Sequence, residues 1–166
     1  MSSHGETKRH DLRHEAFMRR AIEIARESTQ QEGSAPIGCV IVRDGNIIGE
    51  GCNEVGPQCD PTAHAEIVSI RRACRAVGSP GLEGAILYTT LQPCGMCSMA
   101  SIWAKVGTIV FGAQRHQVHR MYFEDRHLDT MDFISDAFRD DLQVIKAVLS
   151  DECAQLYFKP GDHPPD

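Results

Sequence analysis

Two short motifs in the middle of the chain constrain its fold and chemistry more than any other feature. The first places His64 two residues before Glu66, and the second is Pro93 followed by Cys94 and Cys97. One histidine and two cysteines can hold a zinc ion, but a closed structural site would need a fourth protein ligand. A catalytic zinc keeps one position open for water. Three metal ligands (His64, Cys94 and Cys97) beside a glutamate therefore predict a hydrolytic site.

The spacing within each motif predicts how the chain approaches the metal. Cys94 and Cys97 are three residues apart, so they share one face of a helix, and Pro93 suits the start of that helix. His64 and Glu66 would diverge in the middle of a helix, but they can converge at a helix N-terminus. Free backbone N–H groups and the helix dipole also favour thiolates there. We therefore expect two helix N-termini to face one ion.

Glu66 has a chemical role that a structural zinc site would not require. Two thiolates cancel the formal charge of Zn²⁺ and weaken it as a Lewis acid, so a nearby base helps to deprotonate the water. Glu66 is predicted to take that proton as a general base and to return it as a general acid. This chemistry suits attack of water on an amidine carbon with loss of ammonia.

The two motifs together, H-x-E followed by P-C-x-x-C, resemble the signature of the cytidine deaminase-like superfamily of zinc deaminases. The resemblance continues through residues 36–42 and Gly51-Cys52-Asn53, and it covers residues 12–112 well. It implies a three-layer α/β/α fold with a mixed sheet of about five strands and an initial antiparallel hairpin. It also implies one Zn²⁺ per chain and a homodimer.

Other interpretations of the cysteine pair stay open at this point. A Cys-x-x-Cys motif can be a redox pair, which leaves His64 and Glu66 unexplained, or half of a structural zinc site, which needs a fourth ligand. His116 and His119 lie among polar residues and are predicted to belong to a solvated or substrate-facing loop rather than to a second metal site. The cysteines without paired spacing are predicted to be core or loop residues: Cys39, Cys52, Cys59, Cys74 and Cys153.

Length and composition predict one globular domain with a hydrophobic core. The chain has 166 residues, of which 42% are hydrophobic and 24% are charged, and no apolar run is long enough to cross a membrane. Seven cysteines without a disulfide framework, and a polar start without a signal-peptide core, favour a cytoplasmic location. The net charge of −6 favours a small-molecule substrate over RNA. The small cluster of arginines at positions 71, 72 and 75 keeps a tRNA substrate as an alternative.

Hydrophobic periodicity and turn signals predict alternating helices and strands. We expect a mobile tail at 1–10, the zinc-dependent deaminase domain at 11–158 and a Pro-rich tail at 159–166. Asp44-Gly45 predicts a hairpin turn, and strand–helix–strand order after residue 86 predicts parallel pairing. A polar loop is predicted at 116–126, helices at 12–31, 62–76, 93–105, 130–138 and 151–157, and strands at 37–42, 47–52, 86–91, 108–111 and 143–148.

Segments around the zinc motifs indicate the substrate. Residues 60–66 resemble both tRNA adenosine deaminases and small bacterial guanine deaminases, whereas residues 36–39 and 87–91 resemble fungal-type cytosine deaminase. Residues 123–125 most resemble the guanine deaminase branch. We therefore expect a free nucleobase, guanine first and cytosine or a related amino-heterocycle next. Adenosine in tRNA is the main alternative. A third interpretation is an inactive partner subunit with the deaminase fold. The presence of Glu66 argues against it.

The resemblance also implies roles in substrate binding and proton transfer. Asn53 is expected to hydrogen-bond the base, together with the backbone at Ala65 and Cys94. Asp125 is expected to enter the pocket and help move protons to the leaving amine, with the neighbouring Glu124 as its fallback. The alternative is that both are exposed carboxylates beside Arg126. From its place on the cysteine helix, Trp103 is expected to wall the pocket, with a position in the core as the alternative.

Overall fold

A five-stranded mixed sheet lies at the centre of the fold. The computed structural model describes residues 3–30, 33–124 and 127–164, with side chains from residue 12 onward. The strands are β1 (Gly38–Arg43), β2 (Asn46–Cys52), β3 (Ile86–Leu91), β4 (Thr108–Ala113) and β5 (Gln143–Ile145). Their order across the sheet is β2-β1-β3-β4-β5. β1 runs antiparallel to β2 and β3, whereas β3, β4 and β5 are parallel. The predicted mixed sheet with an initial hairpin is confirmed.

Two layers of helices cover the sheet. A Cβ on Gly38 would lie 2.0 Å from the Ala21 carbonyl oxygen, and a Cβ on Gly49 would lie 2.6 Å from the Ser69 carbonyl oxygen. Gly38 on β1 pairs with Cys52 on β2, so these two positions face the same side of the sheet. Gly49 lies three residues before Cys52, and successive residues of a strand alternate between faces. Gly49 therefore points to the face opposite Gly38. The helices are α1 (Ser3–Ser28), α2 (Val55–Gln58), α3 (Ala65–Val77), α4 (Gly95–Trp103), α5 (Thr130–Asp136) and α6 (Ser150–Ala154).

The helices divide between the two faces as an α/β/α sandwich requires. α1 packs on the face to which Gly38 points, and α3 packs on the opposite face against β1 and β2. α4 contacts α3, and α5 packs against α4. α6 packs against β4, where a Cβ on Gly112 would lie 2.2 Å from Cys153 Sγ. The predicted three-layer architecture is confirmed.

One edge of the sheet gathers the segments that carry the sequence motifs. Because β1 is antiparallel to β2 and β3, the carboxyl ends of β2 and β3 lie at the same edge. Asn53 follows β2, and Cys94 follows β3 and leads into α4. Ligands of α/β sheets commonly bind beyond the carboxyl ends of the strands. This edge is therefore where the predicted site forms.

The hairpin turn between β1 and β2 is confirmed. Asp44 and Gly45 both have positive φ, at 53° and 78°, as a two-residue type I′ turn requires. Asp tolerates the left-handed region better than most residues, and Gly adopts it without strain.

Several predicted boundaries differ from the structure. α1 begins at Ser3, so residues 3–10 belong to the first helix rather than to a tail. This segment contains no proline and several residues that favour helix. The predicted loop at 116–126 contains two short 3₁₀ helices, Arg115–Gln117 and Arg120–Tyr122. In the described part of the chain, no helix is both long enough and apolar enough to span a membrane.

Candidate metal centre and substrate pocket

His64, Cys94 and Cys97 come together at the edge of the sheet. His64 Nδ1 lies 3.7 Å from each of the two sulfur atoms, and all three ligand atoms lie within 4.8 Å of one another. A tetrahedral zinc with Zn–S near 2.3 Å and Zn–N near 2.05 Å would place N and S about 3.6 Å apart. The observed spacing and the donor set of one imidazole and two thiols therefore fit a zinc ion.

Two helix N-termini face this group, as the spacing of the motifs predicts. His64 is the N-cap of α3, and its carbonyl accepts the Val68 N–H at 2.9 Å. Cys94 is the N-cap of α4, and its carbonyl accepts the Ser98 N–H at 2.9 Å. Both helix dipoles thus place partial positive charge beside the thiols, which stabilises thiolates.

The two thiols differ in how readily they lose a proton. A hydrogen bond from Cys97, and then one from His64, hold the pKa of Cys94 well below its usual range despite burial. The same contact with Cys94, followed by burial, raises the pKa of Cys97. The hydrogen bond with Cys94 raises the pKa of His64. Metal binding displaces the protons that remain on the thiols.

Glu66 lies beside the metal ligands in the first turn of α3. It is only 4% exposed, and its Oε1 accepts a hydrogen bond from Thr89 Oγ1 at 2.9 Å. Burial, followed by the charge on Cys94, raises the pKa of Glu66. The Glu66 carboxylate also contributes to the raised pKa of the Cys97 thiol. A carboxyl group of raised pKa suits proton transfer near neutral pH.

A cavity of about 630 Å³ opens onto the metal ligands. Its size is within the range of small-molecule sites. Asn53 and Glu124 contribute polar groups to the cavity, whereas Ile37 and Phe133 form part of its apolar wall. Asn53 is 6% exposed, and its Oδ1 accepts the Val55 N–H at 3.3 Å. The arrangement can hold a planar polar molecule beside the metal.

The other expected site residues fall in different places. Ala65 is fully buried as the first residue of α3, between a metal ligand and Glu66. Trp103 is 80% exposed at the end of α4, and it does not line the described cavity. The expected pocket wall at Trp103 is therefore not found, because the last turn of α4 lies away from its ligand-bearing N-terminus. Asp125 lies outside the described residues, and its neighbour Glu124 lines the cavity.

Sequence reasoning missed several cavity residues. Met96, Met121, Tyr122 and Phe133 all line the cavity, and the last three come from segments after β4. Phe133 follows a helix start signal at Asp129, whose side chain caps α5. The capping signal at Asp129 predicts where the helix begins, but it does not predict which helix face lines the cavity.

Comparison with known proteins agrees with this geometry. Residues 12–113 match the family described as the cytidine and deoxycytidylate deaminase zinc-binding region. The chain belongs to this deaminase family. It is a hydrolytic deaminase, and zinc is its cofactor.

Similar proteins have two different activities. A guanine deaminase of Bacillus subtilis is 41% identical over 114 residues, which are 69% of this chain and 73% of that protein. A tRNA-specific adenosine deaminase of Haemophilus influenzae is 36% identical over 146 residues, 85% of this chain and 79% of that protein. A solved structure from a study of tRNA:A34 deaminases is 34% identical. Its TM-score is 0.72, and the matched region covers 85% of this chain and 98% of the chain in that structure.

Proposed function

We propose that the substrate is a free nucleobase, guanine first and cytosine or a related amino-heterocycle next, with guanine converted to xanthine and ammonia. The observation that carries this proposal is Glu124, which lines the cavity beside the metal ligands. An ionised carboxylate only accepts hydrogen bonds. Guanine offers two adjacent donors, the ring N1–H and the exocyclic amine, whereas adenine offers a ring nitrogen acceptor beside its amine. Glu124 therefore suits guanine better than adenine.

The catalytic roles follow from the positions of the residues. His64, Cys94 and Cys97 would hold the zinc ion, which when bound would supply the Lewis acidity that lowers the pKa of water towards neutral pH. Glu66 takes a proton from this water as its oxygen bonds to the amine-bearing carbon. It then delivers that proton to the amine nitrogen as the C–N bond breaks, so that ammonia leaves.

The remaining site residues bind and orient the base. Because Asn53 Oδ1 already accepts the Val55 N–H, its Nδ2 is the donor available to the substrate. The backbone at Ala65 and Cys94 lies where the two helices begin and is proposed to hydrogen-bond the ring. Asp125 is proposed to assist proton transfer to the leaving amine.

A substrate panel tests the proposal directly. Purified zinc-loaded protein is incubated with guanine, adenine, cytosine, their nucleosides and tRNA, and released ammonia is measured. We expect guanine to be deaminated, and we expect Glu124→Gln or Asp125→Asn to lower its turnover sharply with zinc content intact. The guanine assignment would be overturned if the wild-type protein did not deaminate guanine. It would also be overturned if both variants deaminated guanine at the normal rate.

Adenosine in tRNA is the second candidate, and a basic cleft favours it. This cleft of about 930 Å³ shares Met121 and Glu124 with the base pocket. It is also lined by Arg115, His116, His119 and Arg120. In the described part of the chain, the Arg120 side chain has no hydrogen-bond or ion-pair partner, and the residue is exposed. A strand whose base occupies the pocket could place a phosphate beside these groups.

A pair of arginine variants separates the two candidates. Arg120→Gln removes a cleft charge, and Arg75→Gln removes an exposed charge on α3 as a matched control. If tRNA is the substrate, Arg120→Gln should raise its KM several-fold and Arg75→Gln should not. Arg71 and Arg72 form ion pairs with Asp60 and Glu54, so Arg75 is the arginine of α3 that serves as the control. Equal effects of the two variants would contradict a phosphate-binding role for the cleft.

We further propose that the protein is a cytoplasmic homodimer that pairs through α4. Met96, Met99 and Trp103 lie on one helical face and are 37%, 38% and 80% exposed. Such an apolar stripe suits burial against a second copy of the chain. Met96 also lines the cavity, so this pairing would cover one side of the pocket. A reducing compartment would keep Cys94 and Cys97 available to zinc.

A further inference from the structure

The side chain of Thr89 makes a buried contact with Glu66 that the zinc motifs do not include. Thr89 lies on β3 and is fully buried, and Glu66 lies on α3 at 4% exposure. Thr89 Oγ1 donates a hydrogen bond to Glu66 Oε1 at 2.9 Å. Both groups are shielded from water, so solvent does not compete strongly for this bond.

This hydrogen bond restricts the glutamate in a way that proton transfer requires. A glutamate side chain has several rotatable bonds, whereas a general base must stay within hydrogen-bond reach of the proton it moves. When Thr89 holds one carboxylate oxygen, the other can face the reacting atoms. We propose that Thr89 is a positioning residue for Glu66. This inference rests on the proposed role of Glu66 in proton transfer, and it is independent of which base is the substrate.

The neighbouring Thr90 provides a matched comparison. It is also fully buried on β3, but its side chain points to the opposite face of the sheet. Its Oγ1 lies 2.6 Å from the Tyr157 hydroxyl and accepts the Gly38 N–H at 3.1 Å. Thr90 therefore makes buried hydrogen bonds of a structural kind without contact with Glu66. A role for Thr89 that is merely structural would make the two threonines behave alike.

Three single variants test the positioning role. Thr89→Val keeps the shape and removes the hydroxyl, Thr89→Ser keeps the hydroxyl, and Thr90→Val is the control. Each is measured as zinc-loaded protein for kcat, KM, zinc content and Tm with the best substrate of the wild type. We expect Thr89→Val to lower kcat about 10- to 100-fold with KM within about two-fold, because small misplacements of a reacting group are costly. Thr89→Ser should restore kcat to within about three-fold of the wild type. Thr90→Val should lower Tm without lowering kcat.

A double variant shows whether Thr89 acts through Glu66. In the Glu66→Gln background, Thr89→Val should cause no further loss of the residual rate. A further loss as large as in the wild type, or a normal kcat in Thr89→Val itself, would overturn the inference. A normal kcat in Glu66→Gln would instead overturn the proposed mechanism. If Thr89→Val lost zinc and Thr89→Ser did not restore the wild-type zinc content, the result would also count against the inference.

Discussion

Gly95 and Phe133 are in direct contact where α4 meets α5. A Cβ on Gly95 would lie 2.7 Å from Cζ of the Phe133 ring, closer than real Cβ atoms approach other groups. Gly95 immediately follows the metal ligand Cys94, and Phe133 lines the cavity. The missing side chain at Gly95 therefore lets an aromatic ring form the pocket wall beside the metal centre.

Gly95→Ala should disturb this wall. Alanine normally stabilises a helix relative to glycine by up to about 1 kcal/mol, so any loss of stability must come from the clash with the ring. We expect a lower Tm and a higher KM, with zinc content unchanged. In a Phe133→Ala background the same change should be neutral or stabilising. Thermal melts of the four proteins measure the coupling, and identical effects of Gly95→Ala in both backgrounds would contradict the contact.

The zinc content should depend on both cysteines of the motif. We expect about one equivalent of zinc per chain, lost when Cys94 or Cys97 becomes Ala, because only two protein ligands would then remain. Cys59→Ala is the matched control, since Cys59 is exposed and lies outside the ligand group. Metal analysis of the purified variants checks this. Full zinc retention in both motif variants would contradict the assignment.

Glu66→Gln should separate chemistry from metal binding. The amide keeps the shape of the side chain but cannot accept and deliver the proton. We therefore expect zinc-replete protein with kcat lowered at least about 10²-fold, at the lower end of general acid–base effects. Near-normal turnover would mean that the metal alone activates the water.

The same variant should show a pH-dependent gain in stability in the metal-free protein. Burial raises the pKa of Glu66, so the folded state disfavours its charged form. At pH above this raised pKa the carboxylate destabilises the fold, and below about 4.5, where it is protonated in both states, the effect disappears. We expect Glu66→Gln to have the higher Tm at pH 7–8 and the advantage to vanish towards pH 4. An advantage that is constant with pH would contradict this account.

Trp103→Lys should prevent assembly of the proposed dimer. A charge placed on the apolar stripe of α4 would be desolvated on pairing, which is unfavourable. We expect sedimentation to show monomers for this variant and dimers for the wild type. Ile47→Lys is the control, because Ile47 is a similarly large exposed hydrophobic residue on β2. A monomeric wild type, or a dimeric Trp103→Lys protein, would contradict pairing through this face.

Local sequence signals were enough to predict the features that depend on neighbouring residues. The bounds of β3, the Asp44-Gly45 turn and the convergence of two helix N-termini were all predicted. The predicted start of α1 at residue 12 was wrong, because the helix already begins at Ser3 and residues 3–10 favour helix.

The sequence by itself determined the metal chemistry, because ligand type and short spacing set which side chains can converge at a helix N-terminus. The tertiary structure decided what surrounds that centre. It placed Phe133 in the cavity wall, left Trp103 exposed and joined Thr89 to Glu66. These relationships connect residues on different elements. They depend on the strand order and on the face that each helix presents to its neighbours, which local spacing does not specify.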